Sequence, residues 1–183
     1  MKKIMFNDRY GLTQAVIEGR KTMTRRIVPT KTRLRRALAV IHDEPHGSEQ
    51  EEYLKSACYK VGEIVAVAQN YRSCGNYHVP KEHPGWSNKL FVTPALMPYQ
   101  IRITGIKCER LQDISNTDCL KEGIRQAYEE SILGMYGYID HKGTGLWFNT
   151  PRKAFAALID KVSGRGTWAS NPWVVAYEFE LVK

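Results

Sequence analysis

The stretch EGRKTMTRR, residues 18–26, gathers Gly19, Lys21, Thr24 and the paired Arg25 and Arg26 where a helical pattern gives way to an extended one. That set suits an anionic or polyhydroxylated ligand, held or also cut. A lysine amine in a partly enclosed cavity beside other cations loses proton affinity through desolvation and like-charge repulsion, which makes it a better base. The Thr24 hydroxyl could attack a carbonyl once a base takes its proton, and an acid must then protonate the leaving amine. Glu122, at the end of a short helix beside Gly123, is that acid if the fold brings it back to Lys21. The plainer reading keeps Lys21 and Arg26 as surface cations and Glu122 as a helix-terminal carboxylate, and the residues by themselves favour it.

Charge reinforces the interest of this stretch. The chain of 183 residues carries 27 Lys or Arg against 19 Asp or Glu, a formal net charge of +8. Arg20, Lys21, Arg25, Arg26, Lys31, Arg33, Arg35 and Arg36 form a run with no acid among them, equal to that whole surplus. A focused basic field suits phosphate-bearing partners, because each neutralised phosphate releases counterions. Tyr71, Tyr77, Trp86, Trp147, Trp168 and Trp173 fall largely in glycine- and proline-rich connections, where an aromatic could stack on a base or plug a small barrel. Trp168 and Trp173 bracket SNP ahead of the last strand, which favours a structural role for at least one. Cys74, His78 and His83, with Cys58 as a distant fourth, have spacings that zinc could use but no tight ligand pair, so no metal or other cofactor is expected.

The elements that must position these groups follow from pattern. An apolar content of 43% with 25% charged residues fits one domain with a real core. The opening MKKIMFNDRY lacks a signal-length apolar run and no segment approaches about 18 apolar residues, so a cytoplasmic protein with reduced thiols and no membrane association is expected. Residues 3–6 read as a short strand. Asn7 or Asp8 caps a helix over Leu12, Ala15 and Val16 that Gly19 stops, and residues 22–28 read as extended.

Further on, residues 30–54 are ambiguous between a helix marked by Leu34, Ala37, Leu38 and Val40 and a surface loop from Asp43. IVAVAQ, residues 64–69, is apolar on both faces and reads as a central strand, whereas residues 89–93 make a brief strand candidate. Along residues 99–110 the apolar parity changes at Gly105, which predicts a bulge that bends the strand. Ser115 caps a short helix to Glu122 with Asp118 in a capping box, and Thr150-Pro151 starts a helix over Ala154, Phe155, Leu158 and Ile159. Val175, Tyr177, Phe179 and Leu181 alternate with Glu178 and Glu180 in a last strand that has one wet face. Short strands with irregular connections point to an α+β class, a small curved or closed β-sheet decorated by short helices.

Gly19, Lys21 and Arg26, as GRKTMTRR, match the Gly-x-Lys-x-x-x-x-Arg signature of ASCH domains, small β-barrels of the PUA-like superfamily associated with RNA. The resemblance extends to VGEIVAV, IRITGIKCERL, DCLKEGI and VVAYEFELV. It leaves residues 28–59 and 125–149 as insertions into one domain spanning 1–183, and the whole chain resembles the longer phage-associated ASCH proteins of bacteria. The resemblance implies RNA or a modified nucleoside as partner, held by Gly19, Arg20, Lys21, Arg25 and Arg26 with Tyr71, Trp86 and Trp168 for the base. One branch of the family hydrolyses N4-acetylcytidine, and its base, nucleophile and acid fall on Lys21, Thr24 and Glu122. Family chemistry also includes ribonuclease-like activity, and an accessory domain that binds another protein through the insertions is a further reading.

Overall fold

Strands β4 (Gln100–Arg110) and β8 (Trp173–Leu181) run antiparallel through the middle of a five-stranded sheet, ordered β1-β3-β4-β8-β2, with β1 at Lys2–Ile4, β2 at Met23–Ile27 and β3 at Ile64–Val67. A second, three-stranded antiparallel sheet joins β5 (Arg125–Gln126), β6 (Tyr136–Ile139) and β7 (Gly145–Phe148). The computed structural model describes residues 1–42, 47–75 and 78–182. Part of the polar segment after His42, with Pro45 and His46, and the loop aromatic Tyr77 lie outside the described residues.

The fold is mixed α+β, and the expectation of a barrel is corrected: neither sheet closes on itself. The bulge predicted at Gly105 is present, as a register shift between Ile103 and Gly105 against β8, but it does not bring the end strands together. β1 is three residues long and pairs in parallel with β3, while β2 pairs with β8 at the far end. Among the described residues no ladder joins β1 to β2. The Arg26 guanidinium instead donates to the Met5 carbonyl just beyond β1, so a side chain spans the gap that a ladder would have closed.

Helices cover the large sheet at the places that matter for the site. Asn7 caps a 3-10 turn, Asp8–Tyr10, ahead of α1 (Leu12–Ile17), and the chain leaves α1 through Gly19 at φ +71°. Ser115 caps α4 (Asn116–Lys121) through the Asp118 N–H, and Thr150 caps α5 (Pro151–Ser163) through the Lys153 N–H. Ala154, Phe155, Leu158 and Ile159 are buried on one face of α5, at the i, i+4 spacing their sequence announces. Burial of Phe155, Leu158 and Ile159 contributes roughly 1.5 to 3 kcal/mol each. A four-residue helix α6, Thr167–Ser170, leads to β8.

Three local readings change. The described residues of 30–55 hold two helices, α2 (Thr30–Ile41) and α3 (Glu49–Lys55), and α3 replaces part of the expected loop because Ser48 and Glu51 form a reciprocal capping box. Lys89–Phe91 is a 3-10 turn rather than a strand. β8 buries Val174 and Ala176 as well as Val175, Tyr177 and Phe179, so its first half has no wet face, while Leu181 is half-exposed. Among the described residues no helix is long and apolar enough to cross a membrane.

Candidate functional site

Lys21 is held at a junction of three elements. Its N–H donates to the Ala15 carbonyl of α1, the Thr22 N–H donates to the Lys121 carbonyl of α4, and the Phe179 N–H of β8 donates to the Thr22 carbonyl, each at 2.9 Å. Gly123, at φ +101°, turns the chain directly after α4; a Cβ there would lie 3.6 Å from Lys21 Cβ. That glycine brings Glu122, the C-cap of α4, beneath the lysine.

The side chains then form a buried charge network. Lys21 Nζ, 2% exposed with its residue, donates to Glu122 Oε2 at 2.5 Å, to the Glu122 carbonyl at 2.8 Å and to the Met23 carbonyl at 2.7 Å. Arg25 donates to Glu122 Oε1 at 3.1 Å, to Asp118 Oδ2 at 2.9 Å and to Glu109 Oε1 at 2.9 Å. Lys107 closes the set, 3.0 Å from Asp118 and 3.1 Å from Glu109. Strand register explains the convergence: Arg25, Ala176 and Lys107 occupy one cross-strand row, and the small Ala176 between two long cations leaves room for the carboxylates. Three cations thus face three carboxylates.

Proton affinities follow from these contacts. Burial pulls the Lys21 ammonium below the ordinary lysine range, against the raising influence of Glu122. Burial alone would raise Asp118, yet the hydrogen bonds from Lys107 and Arg25 outweigh it and hold that carboxyl below the usual range. Arg25 is pushed up, because the charges of Glu122 and Glu109 more than offset its desolvation.

Beside the network lies a cavity of about 310 Å³. Thr24, Arg25, Arg26 and Ile27 all line it, so it follows the unpaired edge of β2, in the gap between β2 and the residues after β1. Phe155, Leu158, Ile159 and Val162 of α5 and Leu12 of α1 give it an apolar wall, and Lys21 and Glu122 reach it from the network. The Thr24 hydroxyl makes no hydrogen bond to another described residue.

Of the residues singled out in the sequence, Lys21, Thr24, Arg25, Arg26 and Glu122 meet at this cavity. Gly19 is exposed and Arg20 lines a different cavity, where its Nε donates to Glu18 at 2.7 Å. Tyr71 is buried with Ala66, Ala68, Val92 and Met97, and Trp86 packs on that cluster. Trp168 stacks edge-on against Phe155, with the Arg152 guanidinium 5.1 Å from its ring, and Trp173 packs on Tyr53 and Arg110. Among the described residues no group of three or more His, Cys, Asp or Glu is placed to hold a metal ion.

Glu109 and Lys107, and the ion pairing of Asp118, escaped the sequence reading. Lys107 and Glu109 share the face opposite Ile106 and Cys108, a signal that an ion-pairing face was present. Asp118 was expected to complete a capping box with Ser115, but its carboxylate turns to Arg25 and Lys107.

These contacts correct the functional expectation. The basic run is not one field: Lys21 and Arg25 are neutralised, Arg20 pairs with Glu18, Arg26 binds a backbone carbonyl, and Lys31, Arg33, Arg35 and Arg36 ride on α2. A basic cleft for RNA or a modified nucleoside is therefore absent around Lys21. Lys21 Nζ has three acceptors and no hydrogen bond to the Thr24 hydroxyl, so the base-to-nucleophile contact that an amidohydrolase or other nucleophilic hydrolase requires is not formed.

No protein-family model and no curated protein matches the chain. Among solved structures, protein EF3133 from Enterococcus faecalis, described by the family model DUF984, is similar over 93% of this chain and 66% of that one, at 15% identity and a TM-score of 0.35. A likeness of that size carries no argument about fold or function. The ASCH resemblance accordingly rests on its motif and flanking segments.

Proposed function

We propose that this protein binds a small, uncharged molecule with an apolar body and one hydrogen-bonding end in the cavity along β2. The observation that carries the reading is the pairing of opposites at one place: a neutralised but buried charge network forms one side of the cavity and α5 supplies an apolar wall on the other. Buried ion pairs are rarely the most stable filling for a core, and unfilled apolar space is costly as well. A fold that keeps both side by side is arranged for something that occupies the space, and a volume of about 310 Å³ is at the lower end of ligand pockets. The Thr24 hydroxyl, with the Arg26 N–H groups not used on the Met5 carbonyl, has hydrogen-bonding capacity to spare, and the alkyl and phenyl groups of Leu158, Ile159 and Phe155 take the ligand's body. Location in a reducing compartment, the cytoplasm, belongs to the same proposal and is supported by four free cysteines.

Titration of the full chain with cyclohexanol and with benzyl alcohol, followed in ¹H–¹⁵N spectra, tests the assignment. Saturable shifts at Thr24, Arg25 and Leu158, abolished in a Leu158→Trp variant that fills the cavity, are expected. Shifts that are absent at millimolar alcohol, or that persist unchanged in the filled variant, would sink the reading.

A further inference from the structure

The second sheet builds a site independent of the Lys21 cavity. Register places Arg125 opposite Gly137 on β6 and Gly137 opposite Trp147 on β7, so cation, glycine and indole form one row on one face. The indole rests on the sheet backbone. A Cβ at Gly137 would come within 2.8 Å of Trp147 Cε3, and one at Gly145 within 2.6 Å of Nε1, so both rings of the tryptophan are seated on glycines. Its other face is left to a cavity of about 480 Å³ that Arg20, Arg125, Ile139 and Glu129 also line.

The two guanidinium groups are the second observation. Arg125 has no carboxylate at ion-pair distance among the described residues, and the positive charge of Arg20 bears on it. Glu18 Oε2 accepts from Arg20 Nε at 2.7 Å and its charge also reaches Arg125, yet Arg20 Nη2, ion-paired with the same oxygen, is buried without a hydrogen-bond partner. Glu18 sets one negative charge against two cations, so a further anion beside them is favourable. A Cβ at position 137 would run into the Leu146 carbonyl of β7 as well as the indole, so glycine there is what lets Trp147 lie against the sheet.

We propose that this cavity binds a small planar anion, its ring stacked on Trp147 and its carboxylate or phosphate held by Arg125 with Arg20 behind it. Glu129, which also lines the cavity, disfavours a second negative group on the ligand.

The experiment titrates the full chain with phenyl phosphate, benzoate and inorganic phosphate while following the Trp147 indole N–H by NMR. Saturable movement of that resonance with phenyl phosphate or benzoate is expected, weakened at least tenfold by Arg125→Gln; in Trp147→Leu, which lacks the indole, the Arg125 backbone amide should report the same loss. Tighter binding of phenyl phosphate assigns the anion as phosphate, and tighter binding of benzoate assigns it as carboxylate. The proposal is overturned if neither aryl anion moves the indole signal, if Arg125→Gln binds as well as the parent, or if inorganic phosphate binds as tightly as the aryl compounds. Benzyl alcohol should leave the Trp147 signal in place; an equal response to it would show that the anionic group is not recognised. Because the cavity along β2 is read by Thr24 and Leu158, failure at one site is distinguishable from failure at the other.

Discussion

Lys21 Nζ and Glu122 Oε2 lie 2.5 Å apart although 101 residues of chain separate them. The pair is almost fully withdrawn from solvent, at 2% and 6% side-chain exposure. Glu122 is placed where a carboxylate is least welcome, buried and at the C-terminal end of a helix whose dipole repels it. Lys21 and Arg25 together make that position tenable.

Removing one partner therefore leaves an uncompensated buried charge. Lys21→Met and Glu122→Leu are each expected to destabilise the fold by about 3 to 5 kcal/mol. The double variant Lys21→Met/Glu122→Leu should cost less than the two single losses added together, because the pair acts as a unit. Urea unfolding of the four proteins checks this; strict additivity would show that the two side chains do not depend on each other.

Acid should act through Asp118. Its folded-state proton affinity is depressed, so the stability it contributes is fully present above the ordinary aspartate range and is lost as pH falls through about 4 and below. The melting temperature followed from pH 6 to pH 2.5 should drop less steeply in Asp118→Asn than in the parent, with the variant already less stable at pH 6. Parallel curves would remove Asp118 from the acid response.

Gly123→Ala is expected to destabilise by about 1 kcal/mol or more, since alanine is disfavoured at φ +101°. The added methyl would also stand 3.4 Å from Leu12 Cδ2 and 3.6 Å from Lys21. Differential scanning calorimetry of the variant measures the loss, and an unchanged melting temperature would show that the turn tolerates a side chain.

Helix α2 offers a contrast. None of its residues is buried, and Leu34 and Leu38 are 58% and 47% exposed. Leu34→Ser and Leu38→Ser should each change stability by no more than about 0.5 kcal/mol. Phe155→Ala, on the buried face of α5, should cost about 3 to 5 kcal/mol. Denaturant midpoints of the three variants separate the two classes.

Local signals in the sequence were strong enough to determine local structure. Thr150-Pro151 starts α5, Ser115 caps α4, Gly19 ends the first helix, and the parity change at Gly105 marks the bulge, because caps, turns and side-chain alternation depend on residues a few positions apart. The same economy explains α3: its Ser48–Glu51 capping box was legible, but Pro45, Gly47 and the run of acids masked it.

What the sequence could not determine was which distant groups would meet. Whether the sheet closed depended on β1 and β2 finding each other, and the Arg26 side chain took the Met5 carbonyl instead. Whether the run of cations made a basic field depended on Glu109, Asp118 and Glu122, which come about a hundred residues later and are brought in by β4 and α4. Charge adds up along a chain but acts through space. Only the tertiary arrangement decided that Lys21 and Arg25 would be neutralised, that Arg20 would face away from them, and that the space beside Thr24 would stay open.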